Sequence, residues 1–276
     1  MAQILPRDFA FLAPIEINDL IRIGNSNDGG YVVPEALVSR AEVLLSFGVC
    51  NDWTFEEDFR RRNSRVVIHA YDHTVSEWIF KRKYREAIFN FCLGRGSWRE
   101  VNESHAVWRS YIQFFSSCAT HFEEQIHPRF DYARFATLDK VFARTDSMRA
   151  FLKIDIEGAE YGIVNDLVRY ASRIEGLVIE FHETMALRET FCSAIHRLQN
   201  HFHIVHIHPN NYGYVADDGL PETLEITFAP GVAPKGVAQR LELPLADLDR
   251  PNKPSAPELP LRFAADYFNS IDQVRA

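Results

Sequence analysis

Short β-branched or aliphatic runs alternate along the chain with longer segments whose polar and apolar residues follow a helical period. This alternation predicts an α/β fold with a mainly parallel sheet covered by helices on both faces. We expect strands at residues 43–47, 66–71, 151–154, 177–179, 204–207 and 224–228. We expect helices at residues 55–62, 75–91, 161–170 and 188–201.

The end of the strand pattern differs from the rest. The last two runs are separated by turn sequences, residues 209–213 and 217–219, and not by a helical segment. Such a connection favours a hairpin-like pair, so we expect an antiparallel final strand. Residues 92–135 lack a clean period, and we expect one strand within them. We expect their aromatic residues to fill the core, with the lining of an acceptor pocket as the alternative (Trp98, Trp108, Tyr111, Phe114, Phe115).

The length of 276 residues suits one large α/β domain with a small appendage. We expect the domain to span residues 1–230. Seven of the 13 prolines lie between Pro230 and Pro260, which excludes regular helix there. Residues 231–276 are therefore predicted to form an extended segment, either packed on the domain or trailing from it, with a short helix at residues 261–274.

The formal net charge of -8, without a broad basic face, argues against nucleic-acid binding and favours a small neutral or cationic ligand. No run approaches the ~18 apolar residues of a membrane span, and the N-terminus is a poor signal peptide. We therefore expect a cytoplasmic protein, and a homo-oligomer is compatible with the sequence. The scattered cysteines predict neither a zinc site nor a disulfide framework (Cys50, Cys92, Cys118, Cys192).

Ligands of open parallel sheets bind beyond the carboxyl ends of the strands, near the switch in strand order. The first predicted strand ends at Gly48, where a missing Cβ allows close approach. The second ends at Asp72, 24 residues later, near the offset at which an acidic side chain meets a ribose diol. A turn or helix-cap role is an equal alternative for Asp72. We predict that the cofactor is bound by Gly48, Cys50, Asn51, Asp52, Phe55, Asp72 and Asp155.

The loop after the first strand also bears on which cofactor binds. A nicotinamide dinucleotide would place its pyrophosphate there, on glycine-rich backbone at a helix N-terminus. Cys50 stands at the second glycine position, and acidic residues crowd the start of the helix (Asp52, Glu56, Glu57, Asp58). S-adenosylmethionine has no phosphate and carries a sulfonium and an ammonium, so an acidic loop favours it. These acids also suit a helix N-terminus for its dipole alone.

The segment F-L-K-I-D-I-E-G-A-E-Y, residues 151–161, sets Asp155 and Glu157 at the end of a buried strand. If the strand continues to Ile156, period 2 points both carboxylates to one side. Glu160 follows on the helix, where we expect a solvated or capping group.

With this segment the chain resembles the FkbM family of methyltransferases, in which K-I-D-[VI]-E-G-A-E follows the fourth strand. Matching segments are A-T-L-D-K-V-F at 136–142, V-I-E-F-H-E at 178–183, H-P-N-N-Y-G at 208–213 and D-G-G-Y-V at 28–32. The resemblance covers roughly residues 20–230 and departs from the family at Cys50, where relatives commonly have glycine. It implies a seven-stranded class I methyltransferase fold, Rossmann-like, with S-adenosylmethionine as methyl donor. A sugar or polyketide hydroxyl is often the acceptor, and residues 28–32 would belong to a cofactor lid.

Methyl transfer to an alcohol needs either a general base or a divalent cation that lowers the hydroxyl pKa. Asp155, Glu157 and His182 are the predicted catalytic residues, with His182 or Glu157 as base. A Mg²⁺ or Mn²⁺ site formed by Asp155, Glu180 and His208 is the alternative. Two other functions stay open: a nicotinamide-dependent oxidoreductase, and a non-catalytic binding protein on a methyltransferase fold.

Overall fold

The computed structural model of the chain describes residues 4–234 and 236–268. Its strands are, in chain order, β1 (Leu20–Gly24), β2 (Gly30–Pro34), β3 (Val43–Phe47), β4 (Val67–Tyr71), β5 (Thr120–Phe122), β6 (Gln125–Ile126), β7 (Phe135–Ala136), β8 (Ala150–Ile154), β9 (Ile174–Phe181), β10 (Phe202–Pro209), β11 (Leu224–Pro230), β12 (Glu242–Leu243) and β13 (Leu261–Arg262). Its α-helices are α1 (Glu35–Arg40), α2 (Thr54–Arg62), α3 (Glu77–Cys92), α4 (Trp98–Ser117), α5 (Leu138–Ala143), α6 (Glu160–Arg169) and α7 (Arg188–Gln199).

Seven strands form the central sheet in the order β10-β11-β9-β8-β3-β4-β5. Strand β11 lies between β10 and β9 and runs antiparallel to both, whereas the other neighbouring strands of this sheet are parallel. Counted along the chain, this order is 6-7-5-4-1-2-3 with a reversed seventh strand, the topology of the class I methyltransferase fold. The predicted fold class and the antiparallel last strand are confirmed.

The central strands β3 and β8 are buried at every position because helices cover both faces of the sheet. Successive residues of each strand enter different apolar clusters, as a period of two requires. Val43 and Leu45 pack with α5, α6 and α7, whereas Leu44 and Phe151 pack with residues of α1 to α4. No helix in the described part of the chain has both the length and the apolar character of a membrane span.

The region without a clean period contains α4 and the edge strand β5, so the expected strand is present. The 20-residue helix α4 begins with a capping box, in which Ser97 accepts from the backbone of Glu100 and Glu100 accepts in return. Tyr111 and Phe114 of α4 join the aromatic residues of α2 and α3 in the core, where Trp53 packs on Phe80 and Tyr111. Trp98 is 59% exposed, so the expectation of core packing is wrong for that residue.

The proline-rich segment is irregular apart from the two-residue strands β12 and β13. It runs along the N-terminal segment, where Glu16 N donates to Ala238 O and Arg240 N donates to Pro14 O. Of the predicted helix at residues 261–274, the first two residues are strand β13 and Ala265–Tyr267 is a 3₁₀ turn. The remainder, from residue 269, lies outside the described residues.

Candidate active site

A cavity of about 450 Å³ opens beyond the carboxyl ends of β3, β4 and β8. Strand order reverses between β3 and β8, which is where an open parallel sheet binds its ligand. The acidic side chains lining the cavity are Asp72, Glu124, Asp155 and Glu157, and its lining among the described residues includes no lysine or arginine. Glu124 is paired with Lys140 and Arg144. The wall of the cavity is therefore acidic.

Gly48 follows β3 with a φ of +78°, and a Cβ there would lie 1.8 Å from the carbonyl oxygen of Asp155. Only glycine allows this approach, so Gly48 lets the loop pack against the end of β8. Its own carbonyl accepts from Nζ of the buried Lys153. Burial opposes the charge of that lysine, but Asp155 and Glu56 outweigh it and raise its pKa. The charged lysine of β8 thus connects the carboxyl ends of β3 and β8 beneath the cavity.

Asp72 lies in the cavity wall, with its carboxylate hydrogen-bonded to two loops. Oδ2 accepts from the backbone N–H groups of Val49 and Cys50, at 3.1 and 2.8 Å. Oδ1 accepts from the N–H and hydroxyl of Thr74. Burial raises the pKa of Asp72, but these hydrogen bonds outweigh it and leave the pKa lowered. The turn role considered for Asp72 is present, and it places the loop that borders the cavity.

The other predicted cofactor residues after β3 differ in position. Cys50 lines the cavity in a left-handed conformation, with φ 46°. Asn51 is exposed outside the cavity lining, and Asp52 accepts from Asn25 Nδ2 and Thr54 N. Phe55 contradicts the prediction: it lies in the first turn of α2 facing the sheet, 2% exposed, and its ring packs on Tyr31. A side chain enclosed in the core cannot also contact a ligand in the cavity.

The acids at the start of α2 do not form the acidic wall. The buried Glu56 accepts from the hydroxyl of Ser46, and Asp58 accepts from the backbone of Gly24. The acidity of the cavity comes from the ends of β4 and β8 instead. The acidic residues that line the cavity beside the first loop are thus Asp72, Asp155 and Glu157.

Asp155 and Glu157 line the cavity, and His182 lies beside them although it follows a different strand. His182 Nε2 lies 3.9 Å from Asp155 Oδ1 and 3.7 Å from Glu157 Oε2. A sharp turn presents the two carboxylates, because Glu157 and Gly158 have φ values of 54° and 97°. The three predicted catalytic residues therefore share one site.

Glu160 organises this cluster and was not expected to. Its side chain is fully buried, and Oε1 accepts from the N–H groups of Ile156 and Gly158 and from Nδ1 of His182. One oxygen thus holds both the turn and the imidazole. The sequence places Glu160 only at the start of α6, and it shows nothing of the approach of His182 from β9.

Glu180 and Tyr31 lie behind the cluster. The Tyr31 hydroxyl lies 3.3 Å from Asp155 Oδ2 and 3.2 Å from Glu180 Oε2, and Asn210 Nδ2 donates to Glu180 Oε1. Burial, with the charge of Asp155, raises the pKa of Glu180 well above its ordinary value. Tyr31 belongs to the D-G-G-Y segment, which supplies a buried hydroxyl to the site.

His182 is surrounded by negative charge. Burial lowers its pKa, but the hydrogen bond to Glu160 and the charges of Glu180 and Asp155 outweigh this effect and raise the pKa to about 9. The imidazole therefore carries a proton at neutral pH in this arrangement, where it offsets part of the surrounding charge.

The predicted metal set of Asp155, Glu180 and His208 is wrong with respect to His208. Both ring nitrogens of His208 are engaged, Nδ1 with Glu225 and Nε2 with Glu258, at 3.0 and 3.1 Å. The ring is 1% exposed and ties the C-terminal segment to the sheet. Among the described residues, the group able to hold a metal ion is instead Asp155, Glu157 and His182.

His206 has a similar structural role. Its Nε2 lies 3.1 Å from Asp249 Oδ2, and both side chains are buried. Asn252, from the same C-terminal segment, donates to Glu225 and Asp28. We call Asp249, Asn252 and Glu258 the C-terminal latch, because their side chains connect the C-terminal segment to β10, β11 and the turn before β2.

No family model matches the sequence, and no curated protein matches it. Among solved structures, the chain is similar to one in a fibrillarin/Nop5p complex, at 10% identity and a TM-score of 0.36 over 69% of this chain and 73% of that chain. It is also similar to precorrin-6y C5,15-methyltransferase from Geobacter metallireducens GS-15, at 11% identity and a TM-score of 0.34 over 72% of this chain and 87% of that chain. A third similar structure is the 16S rRNA (adenine(1408)-N(1))-methyltransferase from Catenulisporales acidiphilia, at 9% identity and a TM-score of 0.32 over 77% of this chain and 100% of that chain. At these scores the similarities carry no conclusion about activity, and membership of the FkbM family stays a prediction.

Proposed function

We propose that the protein is an S-adenosylmethionine-dependent O-methyltransferase acting on a hydroxyl of a small molecule, a sugar or glycan or a polyketide-type metabolite. The observation that carries the proposal is the cavity at the switch point of a class I sheet, with an acidic wall and no lysine or arginine among its described lining residues. An acidic wall attracts a sulfonium and an ammonium and repels a pyrophosphate. The same observation disfavours a nicotinamide dinucleotide.

The residues at the cavity fit such a cofactor. The loop of Gly48 and Cys50, fixed by Asp72, borders one side, and Asp155 borders the other. Asp72 would act through the loop that it holds, and Asp155 would face the positive groups of the cofactor. S-adenosylmethionine supplies a methyl group activated by the adjacent sulfonium, and the chain holds both reactants in line for transfer.

The acceptor hydroxyl must lose its proton during transfer, and the polar groups beside the cavity determine how. Glu157 has an 87% exposed side chain at the cavity rim, so it is free to meet an acceptor. His182 is held by Glu160 and faces Glu157 and Asp155. Without a cation, Glu157 is the general base of this arrangement.

The choice of a hydroxyl acceptor rests on the resemblance to the FkbM family. It is supported by two exposed aromatic side chains, Tyr212 and Tyr214, in the loop beyond the carboxyl end of β10. Asn210 connects this loop to the site, since it donates to Glu180 and accepts from Tyr212 N. Exposed rings at this edge offer apolar faces to an acceptor such as a sugar.

Two measurements test the proposal. Isothermal titration should give one S-adenosylhomocysteine site per chain and no heat with NAD, and the ligand should raise the unfolding temperature. Binding of NAD in its place would favour an oxidoreductase. Transfer of a tritiated methyl group to hydroxylated acceptors should give an alkali-stable ether, whereas cofactor binding without transfer to any acceptor would favour the non-catalytic alternative.

A further inference from the structure

We propose that Asp155, Glu157 and His182 form a divalent-cation site at the cavity wall, best suited to Mn²⁺. The set differs from the one expected from sequence, because His208 is committed elsewhere and Glu157 takes its place. The catalytic meaning of this site rests on the proposed function, but binding of the ion can be tested without it.

The spacing of the donor atoms is that of ligands around a shared ion. One donor atom from each residue lies within 4.8 Å of the others, and the imidazole Nε2 lies 3.7 and 3.9 Å from the two carboxylate oxygens. With bonds of about 2.1 Å, two ligands of an octahedral ion are about 3.0 Å apart when adjacent and about 4.2 Å apart when opposite. The two distances from the imidazole to the carboxylates fall between these limits and are too long for hydrogen bonds.

The imidazole is also oriented as in a metal site. Its Nδ1 donates to Glu160 Oε1 at 3.0 Å, which directs Nε2 towards Asp155 and Glu157. Histidines that bind metals nearly always donate their other N–H to a carboxylate or carbonyl in this way. Because the same oxygen accepts from Ile156 N and Gly158 N, Glu160 positions all three proposed ligands together.

A second, independent observation is a buried carboxylate oxygen without a partner behind the imidazole. Glu160 is fully buried, yet its Oε2 has no hydrogen-bond partner among the described residues. A buried carboxylate oxygen without a partner is costly unless a cation lies near. Glu180 Oε1 lies 3.8 Å from His182 Nε2 and adds another buried carboxylate to the same place.

Carboxylates outnumber cationic groups around the proposed site. Four carboxylates converge there, those of Asp155, Glu157, Glu160 and Glu180. The cations facing them in the described structure are His182, when protonated, and Lys153, whose Nζ lies 3.8 Å from Asp155 Oδ2. A cation bound at Nε2 requires the neutral imidazole, so it would replace the proton there as the positive charge that faces these carboxylates.

The donor set indicates which ion would bind. Two carboxylate oxygens suit Mg²⁺ and Mn²⁺, whereas an imidazole nitrogen suits transition-metal ions, and Mn²⁺ accepts both. Asp155 and Glu157 line the cavity as well as the proposed site. A dication held there lies where an acceptor hydroxyl must lose its proton, and it would lower the pKa of that hydroxyl.

The test is an electron paramagnetic resonance titration of the chelator-treated full chain with Mn²⁺ alone. We expect one bound Mn²⁺ per chain, at least tenfold weaker binding in Asp155→Asn and Glu157→Gln, and a nitrogen modulation of the bound-ion signal that is lost in His182→Gln. Glu183→Gln is the matched control, because it removes an exposed carboxylate next to His182 that lies outside the donor set. Glu157→Gln keeps the test valid if the other variants unfold, since that side chain is 87% exposed.

Equal Mn²⁺ affinity in the wild type and Glu157→Gln would overturn the site, as would the absence of bound Mn²⁺ or of the nitrogen signal. Titration with S-adenosylhomocysteine in chelator separates this outcome from the proposed function. Cofactor binding without Mn²⁺ binding would eliminate the cation site alone, and Mn²⁺ binding without cofactor binding would eliminate the methyltransferase alone.

Discussion

Glu160 Oε1 and His182 Nδ1 are 3.0 Å apart, and this hydrogen bond joins the turn after β8 to the end of β9. The turn carries Asp155 and Glu157, so the bond sets the imidazole against both carboxylates. The relative position of the three proposed ligands thus depends on Glu160, which is not itself one of them.

The first prediction concerns this positioning residue. Glu160→Gln keeps an oxygen that accepts from the turn, but it removes the charge that orients His182. Changes of this kind typically weaken metal binding 10–100-fold, and we expect a loss of that size for Mn²⁺, measured by the same resonance titration. Unchanged affinity would mean that Glu160 has only a structural role, and thermal unfolding of the variant provides the folding control.

Asp72 is predicted to control cofactor affinity through the loop that it holds. Asp72→Ala removes the acceptor of the Val49 and Cys50 N–H groups, so the loop at the cavity loses its fixed position. We expect S-adenosylhomocysteine to bind about ten- to hundredfold more weakly, since a lost charge-assisted hydrogen bond costs about 1.5–3 kcal/mol. Thr74→Val is the matched control because it removes only one bond to the other oxygen. If both variants bind the cofactor as the wild type does, the loop does not depend on Asp72.

Cys50 has a positive φ, which an L-residue with a side chain adopts at a cost of about 1–2 kcal/mol. Cys50→Gly relieves this cost but adds freedom to the unfolded chain, worth about 0.5–1 kcal/mol. We expect a net gain in unfolding free energy of up to about 1 kcal/mol, measured by urea denaturation. Cys50→Ala keeps the strain and should show no gain; stabilisation of both variants alike would assign the effect to the thiol.

The bond between His208 and the C-terminal latch predicts a pH dependence of stability. Burial lowers the pKa of His208, but Glu225 and Glu258 outweigh this effect and raise it to about 10, whereas an unfolded histidine titrates near 6.5. A raised folded pKa gives stability that is complete below pH ~6.5 and is lost as the pH rises towards 10.

We therefore expect the unfolding free energy of the wild type to fall between pH 6.5 and pH 9.5, by an amount on the order of a few kcal/mol. His208→Gln should be less stable at pH 6.5 and should depend much less on pH, as followed by urea denaturation at each pH. Parallel curves for the two proteins would show that other groups cause the decline.

The sheet could be predicted from the sequence because its central strands are buried on both faces. Strands such as β3 and β8 then consist of almost uninterrupted apolar residues, which is a strong local signal. The helix α4 was not predicted, since its aromatic residues face several neighbours and hide the period. Its capping box at Ser97 and Glu100 was the available signal.

The site was predictable only where its residues follow strand ends. Asp155, Glu157 and His182 were expected there, and they are brought together. His208 also follows from that reasoning, but its partners Glu225 and Glu258 lie 17 and 50 residues away. Glu160 and Phe55 show the same limit, because which way a residue faces in the first turn of a helix depends on packing and not on its type.

The C-terminal latch has a consequence for the order in which the protein can be completed during synthesis. Asp249 leaves the ribosome 43 residues after His206, and Glu258 leaves it 50 residues after His208. Until then β10 and β11 present two histidines and Glu225 without these partners. The part of the sheet formed by β10 and β11 is therefore less stable until the C-terminal latch has been synthesised. We expect a chain ending at residue 230 to unfold at a lower temperature than the 276-residue chain.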